Sequence, residues 1–127
     1  MNDATARSRV LLVEDEAMIA MLMEDMLDEF ACDVVATVGE LDAAIAAANT
    51  EQLDLAFLDV NLRGLPVYPV AEVLRARGVP FAFVTGYGSA GTDAAHSDAP
   101  ILQKPFQAQD LAAVVRRLRS QQSNAAR

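Results

Sequence analysis

Hydrophobic residues along this chain follow two rhythms that alternate. Short, mostly apolar runs, Val10–Val13, Val34–Val38, Leu53–Leu58 and Pro80–Thr85, are rich in Val, Leu and Phe, and the first is unbroken. Such runs suit strands buried on both faces, as in a parallel sheet. After the first run, Met18, Ile19, Leu22, Met23, Met26, Leu27 and Phe30 recur at helical spacing, with Glu24, Asp25, Asp28 and Glu29 between them. This predicts an amphipathic helix whose methionines fill gaps in a core rather than line a ligand box. Glu40 to Ala48, mostly alanine with Leu41 and Ile45, predicts a second helix. Asn61 to Pro66 reads as a loop, because Gly64 and Pro66 punctuate it. Pro69 can open a third helix, Val70, Val73 and Leu74 give it a stripe, and Gly78 ends it. Ile101 and Leu102 begin a fifth strand. Leu111, Val114, Val115 and Leu118 mark a last helix, with Arg116, Arg117 and Arg119 near its C-terminal end, where the helix dipole favours cations.

The alternation breaks once. Between Gly86 and Pro100 the chain has few large apolar residues and two further glycines, Gly88 and Gly91. That composition makes a poor helix. A short or mobile turn around Asp93–His96 is expected there, and the segment from Tyr87 to Ala99 is expected to be mobile. The pattern as a whole predicts an α/β fold: a doubly wound five-stranded parallel sheet with helices on both faces and a fourth helix that is short or disordered. The expected organisation is one domain over 1–127, with its core at about 8–119 and a polar, fraying tail at 120–127.

Charge narrows the choice of function. The 127 residues include 18 acids against 10 bases, a net charge of −8. Nucleic-acid phosphates need a basic face, and anionic membranes likewise attract basic segments, so neither is expected as a partner. The lone Cys32 allows no internal disulfide, and a small buried or half-buried thiol just before a strand is expected. Residues 1–9 lack the apolar stretch of a signal peptide, and no run approaches the ~20 residues of a membrane span, so a cytoplasmic location is expected.

In an open parallel sheet, ligands bind at the carboxyl ends of the strands. The first strand ends at Glu14 and Asp15, the third at Asp59 and the fourth at Thr85, while Lys104 follows the fifth. Taken singly, each has an ordinary explanation: a helix N-terminal charge, as for Glu16, a turn residue, a cap, or a solvated lysine. Together they bring carboxylates, a hydroxyl and an ammonium to one edge. Clustered carboxylates repel unless a cation lies among them, and oxygen-only ligands favour Mg²⁺. His96 alone cannot build a zinc site. A metal, a lysine, a hydroxyl and a free carboxylate make a set suited to phosphoryl transfer, with the carboxylate as nucleophile.

Four stretches carry a family resemblance: Val10-Leu11-Leu12-Val13-Glu14-Asp15-Glu16, Leu58-Asp59-Val60-Asn61-Leu62, Thr85-Gly86 and Lys104-Pro105-Phe106. With them, essentially the whole chain resembles the receiver domain of bacterial two-component response regulators. The resemblance implies a flavodoxin-like strand order, 2-1-3-4-5. It implies Asp59 as phosphoacceptor, Asp15 as a direct Mg²⁺ ligand, Glu14 as a ligand through water, and the Asn61 backbone carbonyl as a further ligand. Lys104 would pair with the phosphoryl group, Thr85 would hydrogen-bond it, and Pro105 would sit in a cis-type Lys–Pro turn. Receivers usually place an aromatic residue three positions before that lysine, where this chain has Ile101. The stretch Pro80-Phe81-Ala82-Phe83-Val84-Thr85-Gly86-Tyr87-Gly88 is similar to single-domain receivers with a Phe-Ala-Thr-Gly-Tyr signature, so Tyr87 is expected to replace the missing switch aromatic. Ile101, Pro105 and Phe106 are assigned with it to a switch and partner surface.

The resemblance implies a stand-alone signalling domain, expected to be a monomer, rather than an enzyme. A sensor histidine kinase or histidine phosphotransfer protein would donate the phosphoryl group. The output would be contact with a downstream protein or drainage of the phosphoryl supply. Two alternatives are an unphosphorylated scaffold, against which the intact acidic, Thr85 and Lys104 set speaks, and an aspartate-nucleophile phosphatase. Such phosphatases carry a second aspartate two residues after the nucleophile, where this chain has Asn61.

Overall fold

The computed structural model of the chain describes residues 6–86 and 98–125. In chain order the elements are β1 (Ser8–Val13), α1 (Ala17–Glu29), β2 (Cys32–Val38), α2 (Leu41–Thr50), β3 (Leu55–Asp59), β4 (Asn61–Leu62), β5 (Leu65–Pro66), α3 (Tyr68–Ala76), β6 (Phe81–Thr85), β7 (Ile101–Gln103) and α4 (Ala108–Ala125). Five strands form one parallel sheet in the order β2-β1-β3-β6-β7. Counted along that sheet, this is the expected order 2-1-3-4-5.

Successive strand residues point to opposite faces, so each central strand feeds two cores. Val10, Leu12, Leu55, Phe57 and Val84 face one side, where they meet Met23 and Leu27 of α1 and Leu111, Val115 and Leu118 of α4. Leu11, Val13, Leu58 and Phe83 face the other, against Ala44 and Ala48 of α2 and Val70, Ala71 and Leu74 of α3. The small residues of α2 let it lie close to the sheet. Gly78 takes φ 72°, the left-handed conformation in which glycine ends a helix without strain.

Several expectations need correction. Met18 and Leu22 are on solvent-facing positions of α1, 85% and 48% exposed, and Met21 joins them. The helix has more apolar residues than one buried stripe can hold, and the stripe that packs is Ala20, Met23 and Leu27. The expected loop at 61–66 is a hairpin, with Asn61 opposite Pro66 and Leu62 opposite Leu65. Its two central residues, Arg63 (φ 51°) and Gly64 (φ 88°), adopt the positive φ that a two-residue hairpin turn requires. The last helix runs to Ala125, through most of the stretch expected as a tail. Gln122 Nε2 donates to Asp54 Oδ1 at 2.8 Å, which ties this extension to the body.

Arg119 is therefore in mid-helix, and it does not complement the end of its own helix. Its guanidinium donates to the carbonyls of Phe30 and Ala31, at 2.9 and 2.8 Å, so it serves the C-terminus of α1. Cys32 does not precede β2 but opens it, and it is buried. The expectations for a mobile segment around Asp93–His96, for a short or disordered fourth helix and for Tyr87 lie outside the described residues. Among the described residues, no helix is long and apolar enough to cross a membrane.

Candidate functional site

The site lies at the carboxyl edge of the sheet, and neighbouring strands deliver its parts. Glu14 and Asp15 follow β1 directly; β3 and β6 close on Asp59 and Thr85, and Lys104 follows β7. Glu14, Asp59 and Thr85 are the buried polar residues among the described ones, 4%, 8% and 2% exposed. A polar group is buried at such cost only where a partner or a ligand offsets it. Backbone pairing fixes the spacing: Glu14 N–H donates to Val38 O at 2.9 Å, Val60 N–H to Val84 O at 3.1 Å, and Lys104 N–H to Thr85 O at 2.8 Å.

The Lys104 ammonium sits within 3.1 Å of Glu14 Oε1, 3.2 Å of Glu16 Oε1 and 3.5 Å of Asp59 Oδ2. Asn61 N–H donates to Asp59 Oδ1 at 3.3 Å. Asp15 Oδ2 accepts from the Arg63 backbone N–H at 2.9 Å, so the hairpin turn holds this carboxylate in place. Asn61 Oδ1 accepts from Gly64 N–H at 2.7 Å, which commits the Asn61 side chain to the turn. Asp15, Glu16, Asp59, Asn61, Thr85 and Lys104 line an open cleft of about 560 Å³.

The charges are strained. Burial pushes the Glu14 carboxyl up to about 7, opposed by the hydrogen bond from the Glu16 backbone and reinforced by the Asp59 charge. Burial also raises Asp59 above the usual carboxylate range, against the pull of Lys104 and the Asn61 N–H. Burial works to lower Lys104, but Asp59 and Glu14 outweigh it and its ammonium is held above its ordinary value. Two carboxyls in one buried cleft cannot both ionise cheaply without a cation.

A divalent ion fits this donor set. Carboxylate oxygens of Glu14, Asp15, Glu16 and Asp59 all lie within 4.8 Å of one another. Glu14 Oε1 is buried with no hydrogen-bond donor, since the Lys104 ammonium beside it is an ion-pair neighbour only. An all-oxygen set of this kind suits a hard cation such as Mg²⁺.

The structure thus brings together Glu14, Asp15, Asp59, Asn61, Thr85 and Lys104. Of the other expected residues, Tyr87 lies outside the described residues, and Ile101, Pro105 and Phe106 do not line the cleft. Ile101 packs on the core shared with α2 and α3, and Phe106 packs on the opposite one. Pro105 is exposed, and the Lys104–Pro105 bond is cis, as the resemblance implied. Sequence reasoning missed Glu16, Arg63 and Gly39. Glu16 read as a helix-end charge, and Arg63 acts through its backbone, which sequence pattern does not mark. A Cβ on Gly39 would lie 3.2 Å from Asp15 Cα and 3.3 Å from Glu14 O, so this glycine permits β2 to pass close behind the acidic pair.

Residues 10–116 match the family model of the response regulator receiver domain. The transcriptional regulatory protein PdtaR of Mycobacterium tuberculosis is 31% identical over 113 residues, covering 86% of this chain and 55% of PdtaR. This chain spans about half the length of the curated relatives it matches. The solution structure of SdrG from Sphingomonas melonis Fr1 is 42% identical, with a TM-score of 0.80, over 88% of this chain and 96% of SdrG. SdrG is also known in a BeF3-activated conformation, 41% identical with a TM-score of 0.77, over 91% of this chain and 98% of that one. The receiver domain of the sensor histidine kinase PA1611 from Pseudomonas aeruginosa PAO1 is 25% identical with a TM-score of 0.77, over 91% of this chain and 99% of that one. It has a magnesium ion coordinated in its active-site cleft.

Proposed function

This chain belongs to the family of response regulator receiver domains, and from that premise we propose that Asp59 accepts a phosphoryl group from a phosphohistidine of a kinase or phosphotransfer protein. Receiver domains of two-component systems are phosphoacceptor signalling domains. The observation that carries the assignment to Asp59 is its setting: a buried carboxylate at the end of the central strand β3, facing an open cleft, with Lys104 Nζ 3.5 Å from Oδ2.

Each neighbour has a part. Asp59 is the nucleophile: one carboxylate oxygen forms the new O–P bond as the P–N bond of the donor breaks, and the electron pair leaves with the imidazole nitrogen. Lys104 faces the Asp59 oxygen Oδ2 and meets the incoming negative charge. The Asn61 N–H holds the other carboxylate oxygen and so directs the reacting one outward. Thr85, at the end of β6, stands across the cleft as a hydroxyl donor for a phosphoryl oxygen. Glu14, Asp15, Asp59 and the Asn61 backbone carbonyl would hold Mg²⁺, with the Asn61 side chain already committed to Gly64. When bound, the ion neutralises charge on the transferring phosphoryl oxygens. Signalling then follows from contacts that differ between the two states, whether with a downstream protein or through drainage of a phosphoryl supply.

Incubation with Mg²⁺ and a small phosphodonor is expected to add a single phosphoryl mass to the wild type and none to Asp59→Asn. Label that persists in Asp59→Asn would overturn the assignment. Absence of turnover of a small phosphate ester separates this reading from a phosphatase.

A further inference from the structure

Lys104 holds more anionic partners than a phosphoacceptor site needs, and one of them can leave. A lysine ammonium has three N–H donors. Three carboxylate oxygens lie around it already, from Glu14, Glu16 and Asp59. A phosphoryl group on Asp59 replaces its single carboxylate charge with about two negative charges on the phosphoryl oxygens, and these need the same ammonium. Once the attached Asp59 oxygen has lost its charge in the acyl phosphate, the phosphoryl oxygens compete for the ammonium with the carboxylates that remain, and Lys104 hydrogen-bonds Glu16 Oε1 at 3.2 Å. The Glu14 side chain is 1% exposed and accepts from the Glu16 N–H, so it has nowhere to go. Asp59 is the point of attachment. Glu16 is different: its side chain is 61% exposed at the foot of α1, and it can swing into water without a desolvation cost.

We propose that Glu16 is a counter-ion gate, a positioning residue that holds Lys104 before phosphorylation and competes with the phosphoryl group for it. The proposal rests on Asp59 as phosphoacceptor and gives a role to Glu16, to which the resemblance assigned none. Its carboxylate also puts a fixed negative charge at the cleft mouth, in the path of any anionic donor. Glu16 thereby lowers both the affinity for a phosphoryl group and the rate at which small donors deliver one.

The test compares wild type, Glu16→Gln and Glu29→Gln at saturating Mg²⁺. Glu29 is an exposed acid at the far end of α1, so its variant makes the same change in net charge away from the cleft. Glu16→Gln is expected to bind the phosphoryl mimic beryllofluoride roughly twofold to fivefold more tightly, the range for releasing one exposed ion pair. It is also expected to label faster with acetyl phosphate at low salt, by an excess that shrinks as salt screens the charge. Glu29→Gln should match the wild type in both. Equal or weaker beryllofluoride binding by Glu16→Gln, or an equal gain in Glu29→Gln, overturns the gate. A wild type that neither labels nor binds beryllofluoride defeats instead the reading of Asp59 on which the gate depends.

Discussion

The charge of Glu14 depends on what shares the cleft with it. Its folded value near 7 lies above the ordinary value of 4.5, chiefly because it is buried. Between those values the folded protein binds more protons than the unfolded chain. The Glu14 contribution to stability is therefore fully present below the unfolded value and is lost as pH rises through the folded one. A divalent ion favours the charged form and reverses this. The rise in melting temperature caused by Mg²⁺ is thus expected to be larger near about pH 8 than near about pH 5. Glu14→Gln should flatten that difference, and thermal melts of both proteins with and without Mg²⁺ check it. Gly39 offers a steric test. Its missing Cβ faces backbone atoms of Glu14 and Asp15, which cannot rotate away as a flexible side chain can. Gly39→Ala should cost roughly 1–3 kcal/mol and weaken Mg²⁺ binding, read by denaturant titration and by metal titration. At this scale the sequence revealed the residues that end strands, because apolar runs stop visibly at Glu14, Asp59 and Thr85. It did not reveal Gly39, Glu16 or the Arg63 amide, whose roles exist only once distant segments meet.

Secondary-structure elements were legible where their periodicity was long and hidden where tertiary contacts decide. The strands and helices of the sheet follow from the alternation of apolar runs with helical stripes. The β4–β5 hairpin was read as a loop because it is held by dihedral angles at Arg63 and Gly64 rather than by an apolar pattern. The far end of α4 has the polar sequence of a fraying tail, yet Gln122 is anchored to Asp54. Arg119 shows how one element can complete another. The C-terminal carbonyls of α1 need donors, and Arg119 supplies them from α4 while also donating to Ser8 Oγ at 3.0 Å. Arg119→Met retains a long stem but removes the charged donor from both carbonyls, leaving Ala31 O with the Ser8 N–H at 3.0 Å and Phe30 O with the weak Cys32 thiol at 3.7 Å. The expected loss is about 1–3 kcal/mol in urea denaturation, with Asp59 labelling unaffected, since Arg119 contacts lie at Ser8 and Phe30–Cys32. Labelling that falls in parallel with stability would show that the clamp reaches the cleft.

For the molecule as a whole, the alternation of elements predicted a parallel sheet with two helical layers, while the strand order came from the family resemblance. Periodicity shows that strands are buried but does not show which ones are neighbours. That order places the acceptor and its cation unequally. Asp59 ends the central strand β3, which has β1 on one side and β6 on the other. Lys104 follows β7, a strand of three residues at the sheet edge, paired only with β6. Edge strands open more readily than central ones, and amide hydrogen exchange measures that opening. A phosphoryl group held by Asp59 and Lys104 would act as a cross-link from the middle of the sheet to its margin. The Phe83 N–H is bonded to Pro100 O and the Lys104 N–H to Thr85 O, so both report on whether the edge is closed. Beryllofluoride with Mg²⁺ is expected to slow exchange at these two amides together, while the amides of β1 keep their rates. Unchanged exchange at Phe83 and Lys104 would mean that the edge is already as tightly closed before phosphorylation as after it.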